Sequence, residues 1–518
     1  MSPLIRFLAA AMALLTLVRW GLAAIMEVTP SEAYLFQLAL HRTWIGCDGG
    51  GLGMLAAGGA AWMAKSPLML RLLMPLVALA GSWMLFRLIQ KMANDRAAAW
   101  AVVILNLLPA FNLGAILLKP EWIASLFVIA GLQLLWTGLH RAGIWNWHWP
   151  ATGALWGMAL LADLSALILP FSFAFLLLAS RRWRGRLWKP GPWLLLGAWL
   201  LIGVLPLAWW NHQHGGALGD HWLLEMGWGD IIGFSAQTLL NFVWQMTLAL
   251  SPLFVVGAVL VGLQVFRRQP REDAAYFLLA FCLPGFALLG GLAMIGMGRP
   301  NNLIPLIAPL CGLLAFVWQP GSHLLDRRSL WQWITMGTAA LATLTLLNTD
   351  LWRRAGLLRS YDGDPSRQWQ GWQETADEAS RIIQDASAEF PQELLLIAET
   401  PQLAAALDFY LPQNLPILTP QPDWPRIQVM ESPVPTSQYA FWPRYDEETG
   451  TSTSESPDTE GPTALFFTDA ATRTEPPEIL EQSFAEVTPL MEYEVRRHGS
   501  LVRRIKIFAC RDYRGTPL

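Results

Sequence analysis

Long apolar runs alternate with short polar segments over the first two thirds of the chain. Runs long enough to cross about 30 Å of hydrocarbon lie at residues 4–27, 69–90, 97–118, 121–140, 151–180, 191–210, 241–266, 274–297, 303–319 and 329–348. The run at 151–180 is too long for one span and contains Asp163 and Pro170, so we expect two short helices that meet near Asp163. This pattern predicts a polytopic α-helical membrane protein with about 11 transmembrane helices.

The positions of the basic residues predict the orientation of these spans. Alternate loops are rich in Lys and Arg, whereas the loops at 28–68, 119–120, 211–240 and 298–302 are not. Because basic loops stay in the cytoplasm, the N-terminus is predicted to be cytoplasmic and everything after residue 349 extracytoplasmic. The expected location is a bacterial-type inner (cytoplasmic) membrane, with the first apolar run as an uncleaved anchor.

The chain changes character near residue 350, where the apolar runs stop. Helical spacing at 369–388 and 401–411 alternates with strand-like apolar runs at 393–398 and 464–468. A Ser/Thr/Glu/Pro-rich stretch near 447–462 is predicted to be a disordered loop. We therefore predict two domains: a membrane domain at 1–349, and a soluble extracytoplasmic α/β domain at 350–518.

Composition narrows the class further. The chain is 54% hydrophobic and 14% charged, which excludes an ordinary soluble protein, and its net charge of −3 gives no reason to expect a nucleic-acid partner. The four Cys residues lack the close spacing of a zinc or redox site, so we interpret them as unrelated thiols.

Two predicted extracytoplasmic loops carry further patterns. In the loop at 28–68, apolar residues recur at helical intervals, which predicts a helix lying along the membrane surface; these residues are Ala33, Phe36, Leu40 and Trp44. The loop at 211–240 contains three His close together, and metal binding is one interpretation. Because glycines lie between these His, their side chains share no regular helical or strand register. The same loop is also compatible with a solvated segment at the lipid interface. No metal is therefore predicted.

Short motifs occur in order along nearly the whole chain. They include Glu32-Ala33-Tyr34, Asp48-Gly49-Gly50-Gly51, Lys119-Pro120-Glu121, Trp210-Asn211-His212, Arg299-Pro300-Asn301, Phe409-Tyr410-Leu411-Pro412 and Thr468-Asp469. Together they resemble the family 39 glycosyltransferases (dolichyl/polyprenyl-phosphate mannosyltransferases) and the related bacterial aminoarabinose transferases of the C superfamily. The resemblance implies transfer of a sugar from a polyprenyl-phosphate-linked donor to an acceptor at the outer face of the membrane, with no cofactor required.

Three positions depart from the pattern of that family. Ser31 stands where the family usually has the Asp that is the expected base, and Gly49 and Gly50 follow Asp48 where the family often has His and Pro. The glycine run either brings backbone amides near a phosphate or forms a flexible turn. Asp163 replaces a Lys that faces the donor phosphate in many relatives. It is either part of the site or a helix-break residue paired with Lys119 or Arg299.

The chemistry of sugar transfer requires a carboxylate base near the acceptor and cationic or hydrogen-bonding groups for the departing lipid phosphate. The predicted site residues follow from that need and from the resemblance: Glu32 and Asp48 as catalytic carboxylates, and Tyr34, Lys119, Glu121, Asp163, Arg299 and Asn301 as substrate-binding groups.

Alternative functions remain open at this point. A catalytically degenerate relative would bind a lipid-linked sugar, a glycan or a partner protein. A transporter or flippase would show internal repeats and charges at mid-bilayer, and the sequence shows neither clearly. The acceptor, whether lipid, glycan or protein, is not indicated by the sequence.

Overall fold

The computed structural model divides the chain into two compact units. It describes residues 3–54, 57–58, 65–141, 146–228, 234–267, 273–297, 299–317, 327–347, 349, 353, 361, 364–390, 394–419, 424–430, 434–444, 462–469, 475–497 and 499–514. Unit 1 comprises Met1–Ala23, Trp44–Ala56 and Arg71–Leu347, and unit 2 comprises Ala24–Thr43, Ala57–Leu70 and Asn348–Leu518. The division after Leu347 lies close to the predicted boundary. Two segments of the predicted loop at 28–68, however, belong to unit 2, and most of the predicted disordered loop lies outside the described residues.

The described chain is mainly helical. In chain order the α-helices are α1 (Pro3–Ile25), α2 (Pro30–Leu40), α3 (Pro67–Arg71), α4 (Met74–Met92), α5 (Asp95–Leu107), α6 (Pro109–Gly114), α7 (Pro120–His140), α8 (His148–Ala162), α9 (Ile168–Ala179), α10 (Pro190–Trp199), α11 (Leu205–Gln213), α12 (Ala217–Met226), α13 (Ala236–Leu250), α14 (Pro252–Arg267), α15 (Asp273–Ala280), α16 (Leu283–Ala293), α17 (Ile304–Val317), α18 (Arg327–Leu347), α19 (Trp372–Glu389), α20 (Pro401–Tyr410) and α21 (Glu478–Ser483). The strands are β1 (Ile45–Gly46), β2 (Gly49–Gly50), β3 (Leu395–Ala398), β4 (Ile427–Val429), β5 (Ala464–Thr468), β6 (Phe484–Arg497) and β7 (Ser500–Tyr513).

Several helical segments are long and apolar enough to cross a membrane, as the sequence predicted. Within the described residues there are five: Pro3–Ile25, Pro67–Met92, Pro120–His140, Pro190–Gln213 and Asp273–Ala293. A bent helix pair, Ala236–Leu250 with Phe254–Leu263, gives a sixth if it forms one span, and three apolar helices are shorter. The polytopic class is confirmed, whereas the total of about 11 spans stays a prediction.

One predicted span is divided by a proline. The apolar run at 97–118 forms α5 and α6, because Leu108 adopts an extended conformation (φ −70°, ψ 132°) immediately before Pro109. Steric conflict with the proline ring disfavours the helical conformation in the preceding residue. The run is continuously hydrophobic, so its sequence pattern did not indicate that the helix is interrupted at Leu108.

The predicted break at Asp163 is confirmed. Helix α8 ends at Ala162, and Asp163 is extended (φ −159°, ψ 134°). Its Oδ1 accepts a hydrogen bond of 2.8 Å from the backbone N–H of Ser165, which caps a short 3₁₀ helix before α9. Pro170, in contrast, lies in the first turn of α9, where its missing N–H costs no helical hydrogen bond.

The core of unit 1 is formed by α7 and α17, which pack among α4, α5 and α8. The large side chain of Trp156 on α8 is fully buried. It packs edge-on against Phe173 and Phe281, with ring centroids 6.0 and 5.6 Å away. A Cβ at Gly131 of α7 would lie 2.4 Å from Nε1 of Trp156, so the absence of a side chain at position 131 permits the close contact between α7 and α8.

Helix α1 is attached to this core by one buried cation. Arg19 Nη2 donates to Oδ1 of Asn106 at 2.9 Å and to Oδ1 of Asn112 at 2.8 Å. Asn106 in turn donates to Oγ of Ser82 at 2.9 Å. Because a buried charge must be solvated by polar groups, neutral amides replace water around this guanidinium inside unit 1.

Unit 2 is built on a mixed five-stranded sheet in the order β4-β3-β5-β7-β6. Strand β3 pairs in parallel with β4 and β5, and β7 pairs antiparallel with β5 and β6. Apolar side chains from four of these strands form a buried core with α21; they include Leu395, Ile397, Phe466, Phe484, Phe508 and Leu480. The predicted helix and strand alternation in this region is confirmed.

Helix α2 packs inside unit 2, and its predicted position along the membrane surface stays a prediction. It contacts α20, where Phe36 meets Phe409 edge-on with ring centroids 5.3 Å apart. Gln37 Nε2 donates to Oδ2 of Asp408 at 2.6 Å, and Arg426 Nε donates to the other carboxylate oxygen at 2.7 Å. Of the predicted apolar face, Ala33 and Phe36 are buried, whereas Leu40 and Trp44 are exposed. The helix that contacts α2 lies more than 350 residues away in the sequence, so local periodicity does not reveal it.

We expect Asp408→Ala to destabilise unit 2 by about 3 kcal/mol, because it leaves a mostly buried guanidinium and amide without their carboxylate acceptor. Faster amide hydrogen exchange in α20, β3 and β4 would measure this loss. Asp377→Ala, at an exposed position on α19, is the control and should change exchange by less than about 0.5 kcal/mol. Unchanged protection in Asp408→Ala would show that this network does not stabilise the unit.

Candidate functional site

The candidate site in unit 1 begins at the small hairpin formed by β1 and β2. Ile45 pairs with Gly50 and Gly46 with Gly49, so Cys47 and Asp48 form the two-residue turn. The Asp48 side chain is 26% exposed, whereas Cys47 is fully buried. The hairpin therefore presents one carboxylate at its tip.

Tight packing explains the glycines that follow Asp48. A Cβ at Gly50 would lie 2.1 Å from the carbonyl oxygen of Leu161, at the end of α8, and one at Gly51 would lie 1.8 Å from the carbonyl oxygen of Trp44. Gly49 has φ +117°, a conformation that favours glycine. Close packing and the backbone conformation therefore explain the glycine run. Neither of the two interpretations offered by the sequence, a flexible turn or a phosphate-binding loop, is needed to explain it.

His221 joins the hairpin to α12. Its Nε2 lies 3.1 Å from Oδ1 of Asp48, and the His221 side chain is 11% exposed. Glu225 follows one helical turn later, with Oε2 at 3.9 Å from the same nitrogen. Since residues four apart share a helix face, α12 places the imidazole of His221 between two carboxylates.

Arg299 extends this group of charges. Its Nη1 lies 3.0 Å from Oε1 of Glu225, and both side chains are about half exposed, at 57% and 48%. Arg299 precedes a short 3₁₀ helix, Pro300–Leu303, that leads into α17. We name the four connected residues, Asp48, His221, Glu225 and Arg299, the charged chain. It contains an accessible carboxylate at one end and an accessible guanidinium at the other.

Three other predicted residues lie at helix ends in unit 1. Lys119 and Glu121 are half-buried at the start of α7, and Oε2 of Glu121 is buried with no hydrogen-bond partner among the described residues. Asp163 interacts electrostatically with Glu121 and Glu225. The expected pairing of Asp163 with Lys119 or Arg299 is not found in the described part of the chain, where Asp163 caps a helix and Arg299 pairs with Glu225.

Glu32 and Tyr34 belong to unit 2, and each has a role in its packing. Glu32 is fully buried and forms a capping box with Thr29: Thr29 N–H donates to Oε2 of Glu32 at 2.9 Å, and Glu32 N–H donates to Oγ1 of Thr29 at 3.2 Å. Tyr34 is 8% exposed and accepts a hydrogen bond from the backbone N–H of Gln438 at 2.7 Å. These contacts give both residues a structural role, and their predicted roles as base and sugar contact stay predictions.

Asn301 is the last of the predicted site residues, and two His of the loop at 211–240 were considered for metal binding; all three belong to unit 1. Asn301 is exposed, and the amide of its neighbour Asn302 contacts the sulfur of Met226. His212 is exposed, and His214 stacks on Trp210 with ring centroids 4.0 Å apart. Within the described residues, no group of three or more His, Cys, Asp or Glu side chains is placed to hold a metal ion.

His221 and Glu225 are the site residues that sequence reasoning missed. Both lie in the loop at 211–240, where the intervening glycines indicated no regular register. In the structure Gly216 adopts a left-handed conformation (φ 96°) and α12 begins directly after it. The spacing of four between His221 and Glu225 was therefore the available signal. Together these groups provide an acid–base pair and a cation, the two elements of a group-transfer site.

Comparisons with known proteins agree with this architecture. Residues 52–210 match the family described as dolichyl-phosphate-mannose-protein mannosyltransferase. The solved structure of ArnT from Cupriavidus metallidurans in the apo state is similar, with a TM-score of 0.59, 16% identity, and coverage of 96% of this chain and 97% of that chain. The same protein bound to undecaprenyl phosphate gives a TM-score of 0.57, 15% identity and the same coverage. No curated protein matches the sequence significantly.

The predicted fold class is therefore confirmed: the chain has the fold seen in the ArnT structures, a polytopic helical protein with a C-terminal sheet domain. The matched family segment includes Lys119, Glu121 and Asp163, and excludes Asp48 and Arg299. At this level of identity the structural likeness establishes the fold, and the roles of individual residues rest on the geometry above.

We expect Gly50→Ala to displace the hairpin, because the added methyl group would overlap the backbone of α8. Overpacking of this kind costs about 1–3 kcal/mol, so labelling of Cys47 by a maleimide should accelerate about tenfold or more. Burial, and secondarily the charge of Asp48, raises the pKa of the Cys47 thiol well above its usual value, so labelling of the unchanged protein should be slow. Gly290→Ala has open space around it and is the control. Equal labelling of Cys47 in both variants would contradict the packing argument.

Proposed function

We propose that this protein transfers a sugar from a polyprenyl-phosphate-linked donor to an acceptor at the outer face of the cytoplasmic membrane. The observation that carries the proposal is the charged chain, in which a carboxylate, an imidazole and a guanidinium are connected within unit 1. The glycosyltransferase fold supports it, as does the binding of undecaprenyl phosphate by the similar ArnT structure.

In the proposed mechanism Asp48 is the general base. An acceptor hydroxyl or amine attacks C1 of the sugar, the bond between C1 and the phosphate oxygen breaks, and Asp48 accepts the proton released by the acceptor. His221, 3.1 Å away, orients the carboxylate and exchanges the proton with it. The partial exposure of Asp48 allows an acceptor to approach, which the complete burial of Glu32 does not.

The cationic residues hold the departing phosphate. Arg299 is held by Glu225 and keeps more than half of its side chain exposed, so its remaining N–H groups are available to phosphate oxygens. Lys119, at the start of α7, adds a second cation. Both groups stabilise the negative charge that develops on the lipid phosphate as the bond to the sugar breaks.

The acidic residues are suited to the sugar itself. Carboxylates accept hydrogen bonds from hydroxyl groups, and the buried Oε2 of Glu121 would gain a donor in this way. Asp163 and the exposed amide of Asn301 complete the proposed sugar contacts. The neutral hydroxyls of a sugar suit these carboxylates better than its phosphate does, because like charges repel.

The deciding experiment compares two carboxylate variants of the purified, detergent-solubilised protein, supplied with radiolabelled polyprenyl-phosphate sugars. Asp48→Asn should lower the release of sugar to water or acceptor by about 10²–10⁴-fold, the usual contribution of a general base. Glu32→Gln should retain activity, because Gln at the third helical position also completes a capping box.

The opposite pattern, with activity lost in Glu32→Gln and retained in Asp48→Asn, would reject Asp48 as base. Saturable donor binding without turnover in the unchanged protein would favour a degenerate relative that binds lipid-linked sugar. Either result can be interpreted only when both variants unfold at the same temperature as the unchanged protein.

A second prediction concerns the leaving group. We expect Arg299→Ala to lower the turnover number by about 10²-fold or more, because a charge-stabilising group is lost in the transition state, and Arg299→Lys to recover part of that loss. Arg381→Ala, which removes an exposed guanidinium paired with Glu378 in unit 2, is the matched control. If Arg299→Ala leaves the turnover number unchanged, the departing phosphate is not bound by Arg299.

A further inference from the structure

Unit 2 contains a cavity that the proposed reaction does not use. Its volume is about 600 Å³, within the range of roughly 300–1,000 Å³ that is typical of small-molecule sites. Its lining combines apolar residues with two groups of charged side chains. The residues used below are Ile25, Glu27, Lys65, Pro67, Glu374 and Arg497.

The cavity is bordered by the ends of two apolar helical segments. Ile25 is the last residue of the segment Pro3–Ile25, and Pro67 is the first residue of the segment Pro67–Met92; both segments are long and apolar enough to span a membrane. Ile25 is 77% exposed. Because a spanning segment ends at the edge of the hydrocarbon core, a cavity lined by the ends of two such segments would lie at the depth of lipid headgroups, with an apolar border for acyl chains.

One charged group in the cavity is cationic. Lys65 Nζ donates to the backbone carbonyl of Asp408 at 3.0 Å and lies 5.2 Å from the ring centroid of Phe409. The carboxylate of Asp408 is already bound by Gln37 and Arg426. Lys65 is in no ion pair among the described residues, so an anion in the cavity would find an ammonium group whose charge is not neutralised by direct contact.

The other charged group is centred on carboxylates. Arg497 Nη2 lies 2.7 Å from Oε1 of Glu27, and its Nε lies 3.1 Å from Oε1 of Glu374. Glu27 also accepts a hydrogen bond of 2.6 Å from the N–H of Trp372, in the first turn of α19. Glu27 is thus held in place, whereas the Glu374 side chain is 45% exposed and available to a cation.

We propose that this cavity binds the headgroup of a zwitterionic phospholipid with a primary ammonium group, its phosphate at Lys65 and its ammonium at Glu374. Two carboxylates and two cations line the cavity, so a neutral headgroup that carries both charges complements it. An anionic headgroup would satisfy Lys65 but would face the carboxylates of Glu27 and Glu374. The site belongs to unit 2 and is separate from the charged chain of unit 1.

The test uses the full chain in nonionic detergent, titrated with phosphatidylethanolamine that carries a fluorophore on an acyl chain. Lys65→Met and Glu374→Gln should each weaken binding about tenfold or more. Glu378→Gln, one turn further along α19 and paired with Arg381, is the matched control for Glu374→Gln and should bind normally. Unchanged binding by both cavity variants would overturn the proposal.

Competition distinguishes the headgroup from other sources of phosphate. Unlabelled phosphatidylethanolamine should displace the probe at least tenfold more effectively than phosphatidylglycerol with the same chains, and inorganic phosphate should compete weakly. Equal competition by phosphatidylglycerol would reject the role of the carboxylates. Effective competition by inorganic phosphate alone would reject a lipid in favour of a soluble anion. None of these outcomes depends on sugar transfer.

A pH series with phosphatidylcholine, whose ammonium does not titrate, tests Lys65 directly. The Lys65 side chain as a whole is exposed, but desolvation of its amino group lowers the pKa to about 8; Asp408 opposes this shift and Arg426 adds to it. The phosphate binds the protonated amine, so affinity should be constant below pH 8 and decrease above it. Glu27, Glu374 and Arg497 also line the cavity and carry charge, so a control is needed. If Lys65 causes the pH dependence of binding, Lys65→Met should remove it. A dependence that persists in Lys65→Met would contradict the assignment.

Discussion

The contact between His221 and Asp48 is the interaction on which the candidate site depends. Asp48 lies in a two-residue turn between strands of only two residues each, so the hairpin cannot fix its position alone. Two external contacts do so: the backbone of Gly50 against the end of α8, and the imidazole of His221 on α12. Glu225 lies on the same face of α12 and binds Arg299. The orientation of this one helix therefore determines the positions of both the proposed base and the proposed phosphate-binding cation.

Unit 1 contains charges in two different environments, and the difference separates structural from functional roles. Arg19 is almost fully buried and is surrounded by neutral amides, which solvate its charge inside an apolar unit. In the charged chain, by contrast, the exposed fraction rises from 26% for the Asp48 side chain to 57% for Arg299. A group that exchanges a proton or binds a phosphate must reach its ligand. Burial without access therefore identifies Arg19 as a structural cation.

The sequence predicted features whose cause is local and missed those whose cause is distant. The break at Asp163 and the strand at 464–468 follow from a few adjacent residues, and the structure contains both. The burial of α2 depends on α20, which lies far away in sequence, so its apolar face was assigned to the membrane. The pairing of Asp48 with His221 spans more than 170 residues and has no sequence signature. Gly216 could in principle have indicated that α12 starts directly after it. Glycine is more often interpreted as a residue that breaks a helix.

The contacts of Glu32 show that a motif residue can have a structural role that does not depend on its chemistry. Thr29 and Glu32 fit the pattern of Thr followed three residues later by Glu, and they form the capping box that this pattern predicts. A carboxylate at position 32 is therefore explained by the start of α2 alone, even in the absence of catalysis. The pair of Asp48 and His221 also has a structural role, because it helps to position the hairpin, but the Asp48 side chain stays 26% exposed. Access to an acceptor, which Asp48 keeps and the buried Glu32 lacks, is therefore the reason to assign the chemistry to Asp48.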